Sequence, residues 1–310
     1  MFLVCGEALF DFFLESEVGP AAATYAARAG GSPFNVAIGL ARLGQDSGLL
    51  TGLSSDLLGQ RLSQVLAAEG VSTTYAIPTD RPTTLSLVGL DAAGVPAYQF
   101  YDNGSADTGV TEADLPALGD EVVGLHFGSY SLAAAPVADA MAALARGKQG
   151  RFVSVDPNVR PTVEPDMDVW RARMKVLFPL ADLVKISAED LGLLWPGKAP
   201  EALAAELTDA GVQLVVVTDG GEAATGWTSG GLHATAVPPR VKVVDTVGAG
   251  DTFQAALLAR LLRDAGGMKA AVDGLDQAGL AATLDYAARA AAITCSRRGA
   301  DLPRAAELSD

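Results

Sequence analysis

The chain is poor in the residues that build metal sites, disulfide frameworks and nucleic-acid surfaces. Only two of its 310 residues are cysteine and two are histidine. One widely separated cysteine pair gives no disulfide framework, and two isolated histidines do not indicate a zinc site. Lys and Arg together number 22 against 37 Asp and Glu, which gives a net charge of −15. Nucleic acids and anionic membranes are bound by clustered basic residues, so the composition argues against both partners.

Long apolar runs are also absent. No stretch reaches the ~18 apolar residues that a membrane-spanning helix needs. The apolar segment 1–13 is interrupted by Glu7 and Asp11, so we expect a first strand there rather than a signal peptide. These features and the scarce cysteines favour a cytoplasmic location. With 49% hydrophobic residues, the chain can bury a large core, either as one domain with an excursion or as two domains.

Short apolar runs alternate with amphipathic patterns along most of the sequence. The predicted strands are Phe2–Cys5, Val122–Phe127, Phe152–Asp156, Leu183–Ile186 and Leu214–Thr218. The predicted helices are Leu57–Leu66, Pro136–Ala145, Trp170–Leu177 and Glu201–Ala210. This alternation indicates an α/β fold with a mostly parallel sheet and helices on both faces. Ligands of such sheets bind near the carboxyl ends of the strands.

Two segments interrupt this alternation. Residues 10–31 are rich in alanine and glycine, and we expect them to be irregular. Residues 84–101 predict two strands around a turn at 91–94. The two excursions together could form one small lid over the α/β body.

The stretch DTVGAGDTF, residues 245–253, holds the clearest chemistry. It follows VKVV (241–244), predicted to be a strand, and leads through a glycine turn into a helix. The free amides and the dipole at a helix start make an anion pocket. Asp251 at its mouth would repel an anion, but it could deprotonate a hydroxyl that attacks a phosphoryl group held by those amides. From the turn alone, an Asp N-cap is an equally good explanation.

A second constellation is GGSPFNVAIGLARLG, residues 30–44. Ser32 suits the N-cap of the helix that the spacing predicts. A well-capped structural helix explains neither the preceding glycines nor Asn35. Gly30 and Gly31 would let a polyol approach the backbone, and Asn35 offers both a donor and an acceptor to vicinal hydroxyls.

These two segments resemble the two signatures of the ribokinase-like (PfkB) family of sugar kinases, in the family's order, and the resemblance covers nearly the whole chain. It implies a ribokinase-like three-layer sandwich with a mostly parallel central sheet and a small β lid. The implied α/β core comprises residues 1–8, 33–75 and 106–310, and the implied lid comprises 9–32 and 76–105. Lid strands often pair across a dimer in this family, which makes a homodimer through the lid a reasonable expectation.

The resemblance also assigns roles to residues. It makes Asp251 the catalytic base and the amides of Gly248, Ala249 and Gly250 the anion hole. Arg160, in DPNVRP (156–161), resembles an arginine that lies near the phosphate-transfer site in fructokinases and 2-keto-3-deoxygluconate kinases. The residues that would contact the sugar are Asp11, Gly30, Gly31 and Asn35, with Asp251 beside them.

On the nucleotide side, TDGGEAATG (218–226) resembles the family's phosphate loop and VKISAEDL (184–191) its magnesium-tuning motif. The nucleotide contacts implied are Thr218, Gly220, Lys185 and Ser187, in addition to Gly248 and Gly250. Asp190 or Glu189 would tune Mg²⁺. The residues matching a site for a monovalent cation such as K⁺ are Asp245, Val247, Thr294, Arg297 and Gly299.

The function that the resemblance implies is ATP-dependent phosphorylation of a sugar hydroxyl, with fructose converted to fructose 6-phosphate as the first choice. GEALFDF (6–12), FGSYSL (127–132) and the 101–107 segment resemble fructokinases more than 2-keto-3-deoxygluconate kinases. A ketodeoxygluconate, nucleoside or pentose kinase stays open, as does a non-enzymatic sugar sensor. The expected partners are a sugar and ATP, with neither nucleic acid nor membrane.

Overall fold

The computed structural model describes residues 1–19, 21–90, 96–263 and 266–308. Its strands, in chain order, are β1 Phe2–Cys5, β2 Leu9–Gly19, β3 Ala22–Gly30, β4 Ser47–Leu50, β5 Gly52–Ser54, β6 Ile77–Thr79, β7 Thr84–Leu90, β8 Pro96–Tyr101, β9 Gly124–Gly128, β10 Phe152–Asp156, β11 Leu183–Ser187, β12 Leu214–Asp219, β13 Ala223–Thr228 and β14 His233–Ala236. Its helices are α1 Ser32–Arg42, α2 Leu57–Ala68, α3 Val137–Arg146, α4 Met167–Leu177, α5 Ala188–Leu194, α6 Pro200–Asp209, α7 Ala249–Leu262, α8 Met268–Asp273 and α9 Gln277–Cys295.

The central sheet has eight strands in the order β14-β13-β12-β11-β10-β9-β1-β4. The six from β12 to β4 are parallel, and β13 and β14 add an antiparallel edge. Strands β1, β9 and β10 are buried along their whole length because helices cover both faces. All five strands predicted from the sequence are present, which confirms the mostly parallel α/β sheet.

Helices form one layer on each face of this sheet. Side chains of α1, α2, α7, α8 and α9 share one apolar core with one face of the sheet, and those of α3 to α6 share the other core with the opposite face. The predicted three-layer sandwich is therefore confirmed. Among the described residues, no helix is both long and apolar enough to span a bilayer.

A second, four-stranded sheet has the order β3-β2-β7-β8. The expectation that residues 10–31 are irregular is wrong, because β2 and β3 pair as a long antiparallel hairpin. The sequence did not reveal this hairpin because alanine and glycine have weak β propensity. Strand β2 also pairs with β7, and the first register pair, Leu9 with Thr84, joins residues 75 positions apart. The strands predicted in 84–101 are confirmed, while their turn at 91–94 lies outside the described residues. The division into core and lid stays a prediction.

The predicted strand at 241–244 is also wrong. This segment is irregular and exposed, and Val243 keeps 61% of its surface accessible. The amides of Val244 and Asp245 donate to the carbonyl oxygen of Cys295 at the end of α9, not to a strand. A valine-rich run favours a strand by composition, but here the chain leaves the sheet edge to reach the start of α7.

The order of the sheet strands reverses between β1 and β9. From β1 the chain continues to β4 on one side, and from β9 it continues through β10, β11 and β12 on the other. Such a switch point leaves a crevice at the carboxyl ends of its strands, where α/β proteins bind ligands. The loops after β1, β9, β10 and β11 meet there.

Candidate active site

The two glycine-containing segments found in the sequence meet at one carboxylate. Asp251, in the first turn of α7, is 7% exposed. Its Oδ1 accepts a hydrogen bond from Ser32 Oγ at 2.6 Å, and its Oδ2 accepts one from Asn35 Nδ2 at 2.8 Å. Since both donors lie in the first turn of α1, the starts of two helices face each other across this carboxylate.

The structure excludes the alternative of Asp251 as an N-cap, and the prediction of Ser32 as an N-cap is wrong. The N-cap of α7 is Gly248, in the left-handed conformation at φ 78°, so Asp251 is not an N-cap. The N-cap of α1 is Gly31, and Ser32 is the first helical residue. Its hydroxyl is bound to Asp251 instead of capping its own helix.

The amides at the start of α7 are mostly free. In the part of the chain that the structure describes, the N–H groups of Gly248, Gly250 and Asp251 donate to no protein acceptor. The amide of Ala249 differs from the prediction, since it donates to the carbonyl of Thr246 at 3.2 Å within the turn. Gly250 is exposed, so this group of donors is accessible to an anion.

The glycines of the first signature make room for acidic residues. A Cβ at Gly30 would lie 2.7 Å from Asp11 Oδ2, and one at Gly31 would lie 2.8 Å from the carbonyl oxygen of Glu7. Both distances are shorter than real Cβ contacts allow. Gly30 and Gly31 therefore allow two chain segments and their carboxyl groups to pack closely, a role that the sequence analysis did not give them.

A buried ion pair lies beside the free amides. Lys185 Nζ binds Asp156 Oδ2 at 2.8 Å, with side-chain exposures of 5% and 2%. Although burial acts to lower it, Asp156 raises the pKa of Lys185 above its ordinary value. The ammonium group lies 3.4 Å from the point where a Cβ of Gly250 would be. Lys185 thus places a fixed positive charge next to the glycine turn.

Asp190 and Glu189 have different surroundings. Asp190 is buried at the start of α5, where its Oδ1 accepts the amide of Val159 at 3.1 Å, and its own amide donates to Ser187 Oγ. Burial raises the pKa of Asp190 to about 6, and the nearby Asp156 adds to the shift. Glu189 is exposed. Of the two acids, Asp190 is the one that faces the loop after β10.

Arg160 is half-buried in that loop, and its guanidinium donates to the carbonyls of Asn158 and Val159. Burial raises the pKa of four carboxyl groups, those of Glu7, Asp11, Asp190 and Asp251, and the charge of Arg160 opposes this rise in each of them. Arg160 therefore places a positive charge near acids from four separate segments. The structure thus brings Arg160 to the predicted site.

Burial dominates the titration of the acids in the site. It raises the pKa of Asp251 above its ordinary value, while the hydrogen bonds from Ser32 and Asn35 oppose this shift. It raises the pKa of Asp11 to about 6. A carboxylate held by two donors but partly desolvated is more basic than one in water, which suits a group that must accept a proton.

The remaining nucleotide residues lie at the same end of the sheet. Thr218, half-buried near the end of β12, is the register partner of Ser187 on β11. Gly220 follows in an exposed turn at φ 49°. Thr218, Ser187 and Gly220 lie together at the carboxyl ends of the neighbouring strands β11 and β12, and we call this partly exposed surface the shelf.

The loops predicted to hold a monovalent cation also meet. Asp245 accepts the amide of Val247 with Oδ1 at 3.1 Å and that of Gly299 with Oδ2 at 2.8 Å. Thr294, fully buried, shares a 2.8 Å hydrogen bond with Thr252 Oγ1, and its carbonyl accepts the amide of Arg297 at 2.9 Å. The five predicted residues therefore come from two segments, the loop before α7 and the end of α9 with the loop after it, which the hydrogen bond from Gly299 to Asp245 ties together.

The sequence analysis missed three residues of this region: Glu7, whose carboxyl group reaches the start of α1; Ser32, as a donor to Asp251; and Asp156, as the partner of Lys185. Glu7 is an acid inside an apolar run and belongs to GEALFDF (6–12), but neither feature assigned it a role. His126, one of the two histidines, is fully buried with Nδ1 3.2 Å from Ser154 Oγ.

Two concave regions of the surface lie away from this site. One of about 460 Å³ lies beside β5, β6 and α2, and one of about 410 Å³ lies at the opposite end of the central sheet, near Phe152 and Met268. Neither is lined by Asp251 or its neighbours. Within the described ranges, no cluster of three or more His, Cys, Asp or Glu residues could hold a metal ion. The donors at the start of α7 come mainly from backbone amides.

Comparison with known proteins agrees with this geometry. The sequence profile of the pfkB family carbohydrate kinases matches residues 1–306. A protein of Rhizobium leguminosarum bv. trifolii named fructokinase is 41% identical over 281 residues, which cover 90% of this chain and 85% of that protein. The structure of a Xylella fastidiosa fructokinase with bound ATP has a TM-score of 0.90 at 29% identity and covers 99% of this chain and 96% of that one. A double mutant of a Vibrio cholerae O395 fructokinase, with fructose, ADP and potassium ion bound, has a TM-score of 0.83 at 29% identity, covering 99% and 97%.

Proposed function

The chain belongs to the pfkB family of carbohydrate kinases, and we propose that it transfers the γ-phosphoryl group of ATP to the terminal hydroxyl of fructose, giving fructose 6-phosphate. The observation that supports this most strongly is the position of the Asp251 carboxylate, which lies in the same helical turn as three free amides and accepts hydrogen bonds from the facing helix. This arrangement offers a base and an anion site to one ligand. Fructose is preferred because several relatives are named fructokinase.

In the proposed reaction the sugar hydroxyl attacks the γ-phosphorus. Its oxygen forms the new P–O bond, its proton passes to Asp251, and the bond from the γ-phosphorus to the β,γ-bridging oxygen breaks so that ADP leaves. Ser32 and Asn35 each occupy one lone pair of the carboxylate and hold it in place. Each oxygen keeps a further lone pair that can accept the hydroxyl proton.

Charge that develops on the transferring phosphoryl group would be stabilised from several directions. The free amides of Gly248 and Gly250 would donate to its oxygens. Lys185, held by Asp156 next to Gly250, would supply a positive charge that needs no reorganisation during the reaction. Arg160 would contact a substrate oxygen or the phosphoryl group from the opposite loop.

The sugar would lie between the first signature and β2. Asp11 and Asn35 offer an acceptor and an amide to vicinal hydroxyls, and Gly30 and Gly31 keep the backbone close to both. The adenine nucleotide would extend over the shelf at Thr218, Ser187 and Gly220.

The donor set also fits metal ions. The Oδ1 of Asp156 is buried and has no hydrogen-bond partner in the part of the chain that the structure describes. This oxygen and the carboxylate of Asp190 are ligands of the kind Mg²⁺ prefers, directly or through water. When bound to ATP, Mg²⁺ neutralises phosphate charge. Backbone carbonyls of the loops at Asp245, Val247, Thr294, Arg297 and Gly299 would hold a monovalent cation such as K⁺, in line with the potassium-bound relative.

Further proposals concern a lid, a dimer and the cellular location. Residues 9–32 and 76–105 would act as a lid on the core formed by 1–8, 33–75 and 106–310, which would exclude water from the phosphoryl group. The exposed edge strand β3 would pair with its counterpart in a homodimer, which light scattering would detect as a doubled mass.

A cytoplasmic location would supply ATP and keep both free cysteines reduced.

The experiment that tests the function measures coupled ADP release with a panel of sugars that contains fructose, glucose, ribose, 2-keto-3-deoxygluconate and a nucleoside. We expect the highest kcat/KM with fructose. If another compound of the panel gave the highest kcat/KM, the proposed substrate would change, but the assignment as a kinase would stand. Sugar binding by calorimetry without any ADP release would contradict the enzyme and favour a sensor.

A further inference from the structure

Glu7 is a buried acid at the switch point that the proposed reaction does not use. It lies in the connection from β1 to β2 and is 1% exposed. Its Oε1 accepts the amide of Ser32 at 3.2 Å. Its Oε2 is enclosed and hydrogen-bonds to no atom in the described parts of the chain. Burying an acid with an unpaired oxygen is energetically costly, so a functional role for Glu7 is worth considering.

The connection that holds Glu7 is packed directly on the start of α1. Gly6, at φ 150°, faces Pro33 and Ser131 so closely that no Cβ would fit. A Cβ at Gly31 would lie 2.8 Å from the Glu7 carbonyl oxygen and 3.3 Å from its Cγ. Since glycines are needed on both sides of this contact, the Glu7 side chain is fixed relative to the first turn of α1.

Ser32 links Glu7 to the proposed base. Its amide donates to Glu7, and its hydroxyl donates to Asp251 Oδ1 at 2.6 Å. Asn35, in the same first turn of α1, donates to the other oxygen of Asp251. A small movement of this turn would change both hydrogen bonds of the carboxylate at once, because one rigid helix presents both donors.

We propose that Glu7 is a positioning residue for phosphoryl transfer: its carboxyl group fixes the first turn of α1 and, through Ser32, orients the carboxylate of Asp251 towards the attacking hydroxyl. This inference rests on the proposed function of Asp251.

The hydrogen-bond acceptor, not the charge, is the property of Glu7 that matters. Burial raises the pKa of Glu7 to about 8, while the Ser129 hydroxyl and the Arg160 charge oppose the shift and Asp107 adds to it. At pH 7 the neutral acid therefore predominates, and its carbonyl oxygen still accepts the Ser32 amide. Glutamine provides the same oxygen at the same distance along the side chain, whereas methionine provides similar volume without it.

The experiment compares steady-state kinetics of Glu7→Gln and Glu7→Met with the wild type at pH 7. We expect Glu7→Gln to keep kcat within about threefold. Glu7→Met should lower kcat by roughly 10-fold or more and leave KM for ATP within about twofold, because the amides of α7 are untouched. Asp182→Leu is the matched control: Asp182 is buried and accepts the Val153 amide at 2.8 Å, but at the opposite end of the sheet. Its kcat per folded molecule should not change.

Three results would overturn the proposal. They are a kcat of Glu7→Met within twofold of the wild type, equal impairment of Glu7→Gln and Glu7→Met, and a kcat loss that is matched by Asp182→Leu. Absence of ADP release by the wild type would instead refute the proposed function, so the two failures are distinguishable.

A double-mutant cycle tests the route through Ser32. If Glu7 acts through this serine, Glu7→Met combined with Ser32→Ala should lower kcat by much less than the product of the separate effects. Multiplicative effects would contradict the route. If Glu7→Met does not fold, Ser32→Ala alone decides, since it leaves Glu7 and its packing in place. A kcat within twofold of the wild type would then overturn the proposal.

Discussion

The ion pair between Lys185 and Asp156 allows stability and function to be separated. Both side chains are almost fully buried, and Asp156 Oδ1 has no hydrogen-bond partner among the described residues. Lys185→Met would leave the carboxylate buried without its cation, which typically destabilises a protein by about 3–5 kcal/mol. That is a large share of the roughly 5–15 kcal/mol that stabilises a typical fold. We expect this loss in the free energy of unfolding, measured by urea denaturation with circular dichroism.

The double variant Lys185→Met/Asp156→Leu should recover most of the lost stability, because an apolar pair can replace a buried ion pair at little cost. It should not recover activity if the Lys185 charge acts on ATP phosphates, and kcat/KM for ATP should stay at least about 10-fold below the wild type. Lys148→Met is a suitable control, since Lys148 is 3.8 Å from Asp182 and only partly buried. It should change stability by about 1 kcal/mol or less. A loss below about 1 kcal/mol for Lys185→Met, or recovery of activity in the double variant, would refute the reasoning.

Three further predictions concern Gly248, Glu7 and Asn35. Gly248→Ala should reduce the free energy of unfolding by about 2–3 kcal/mol, because φ is 78° and the new Cβ would lie 2.6 Å from Ala300 Cβ. Gly44→Ala, at φ 81° with open space, should lose only about 1 kcal/mol in the same urea titration, and equal losses would contradict the packing argument. The pKa of Glu7 rises from 4.5 to about 8 on folding, so the native state binds the extra proton between these values and its stability falls as pH increases across them, by up to about 5 kcal/mol. Glu7→Gln should weaken this pH dependence of the free energy of unfolding, measured by urea titrations at pH 5, 6.5 and 8. If stability changed with pH as much in the variant as in the wild type, the raised pKa of Glu7 would be contradicted. Asn35→Ala removes a donor that lowers the pKa of Asp251, so the acidic limb of its pH–kcat profile should move to higher pH, and a limb at the wild-type pH would exclude this contribution.

The parts of the fold that depend on local patterns could be predicted from the sequence. The buried parallel strands are apolar runs, and their helices follow amphipathic spacing. The hairpin of β2 and β3 could not be predicted, because its alanines and glycines carry little β propensity and its stability comes from pairing with β7. The strand prediction for residues 241–244 failed for the opposite reason. The valines favour a strand, but within the described residues the segment pairs with no strand, and the amides of Val244 and Asp245 bind to the end of α9 instead.

The candidate site shows the same division. The glycine turn and Asp251 are adjacent in sequence, so elementary chemistry could suggest a base beside an anion pocket. The partners of that base could not be found in this way, because Ser32 is 219 positions away and its hydroxyl could equally have capped its own helix. Glu7 has no motif of its own, and its importance appears only when the connection after β1 is seen to pack on α1. Long-range contacts of this kind leave almost no local signal.

The most direct test of the account is the turnover of Asp251→Asn with ATP and the best sugar of the panel. The amide keeps the shape of the side chain but cannot take the hydroxyl proton. We expect kcat to fall by roughly 10²–10⁴, with an unchanged circular dichroism spectrum and thermal midpoint. A turnover within about threefold of the wild type would show that this carboxylate is not the base, and it would contradict the mechanism proposed for the site.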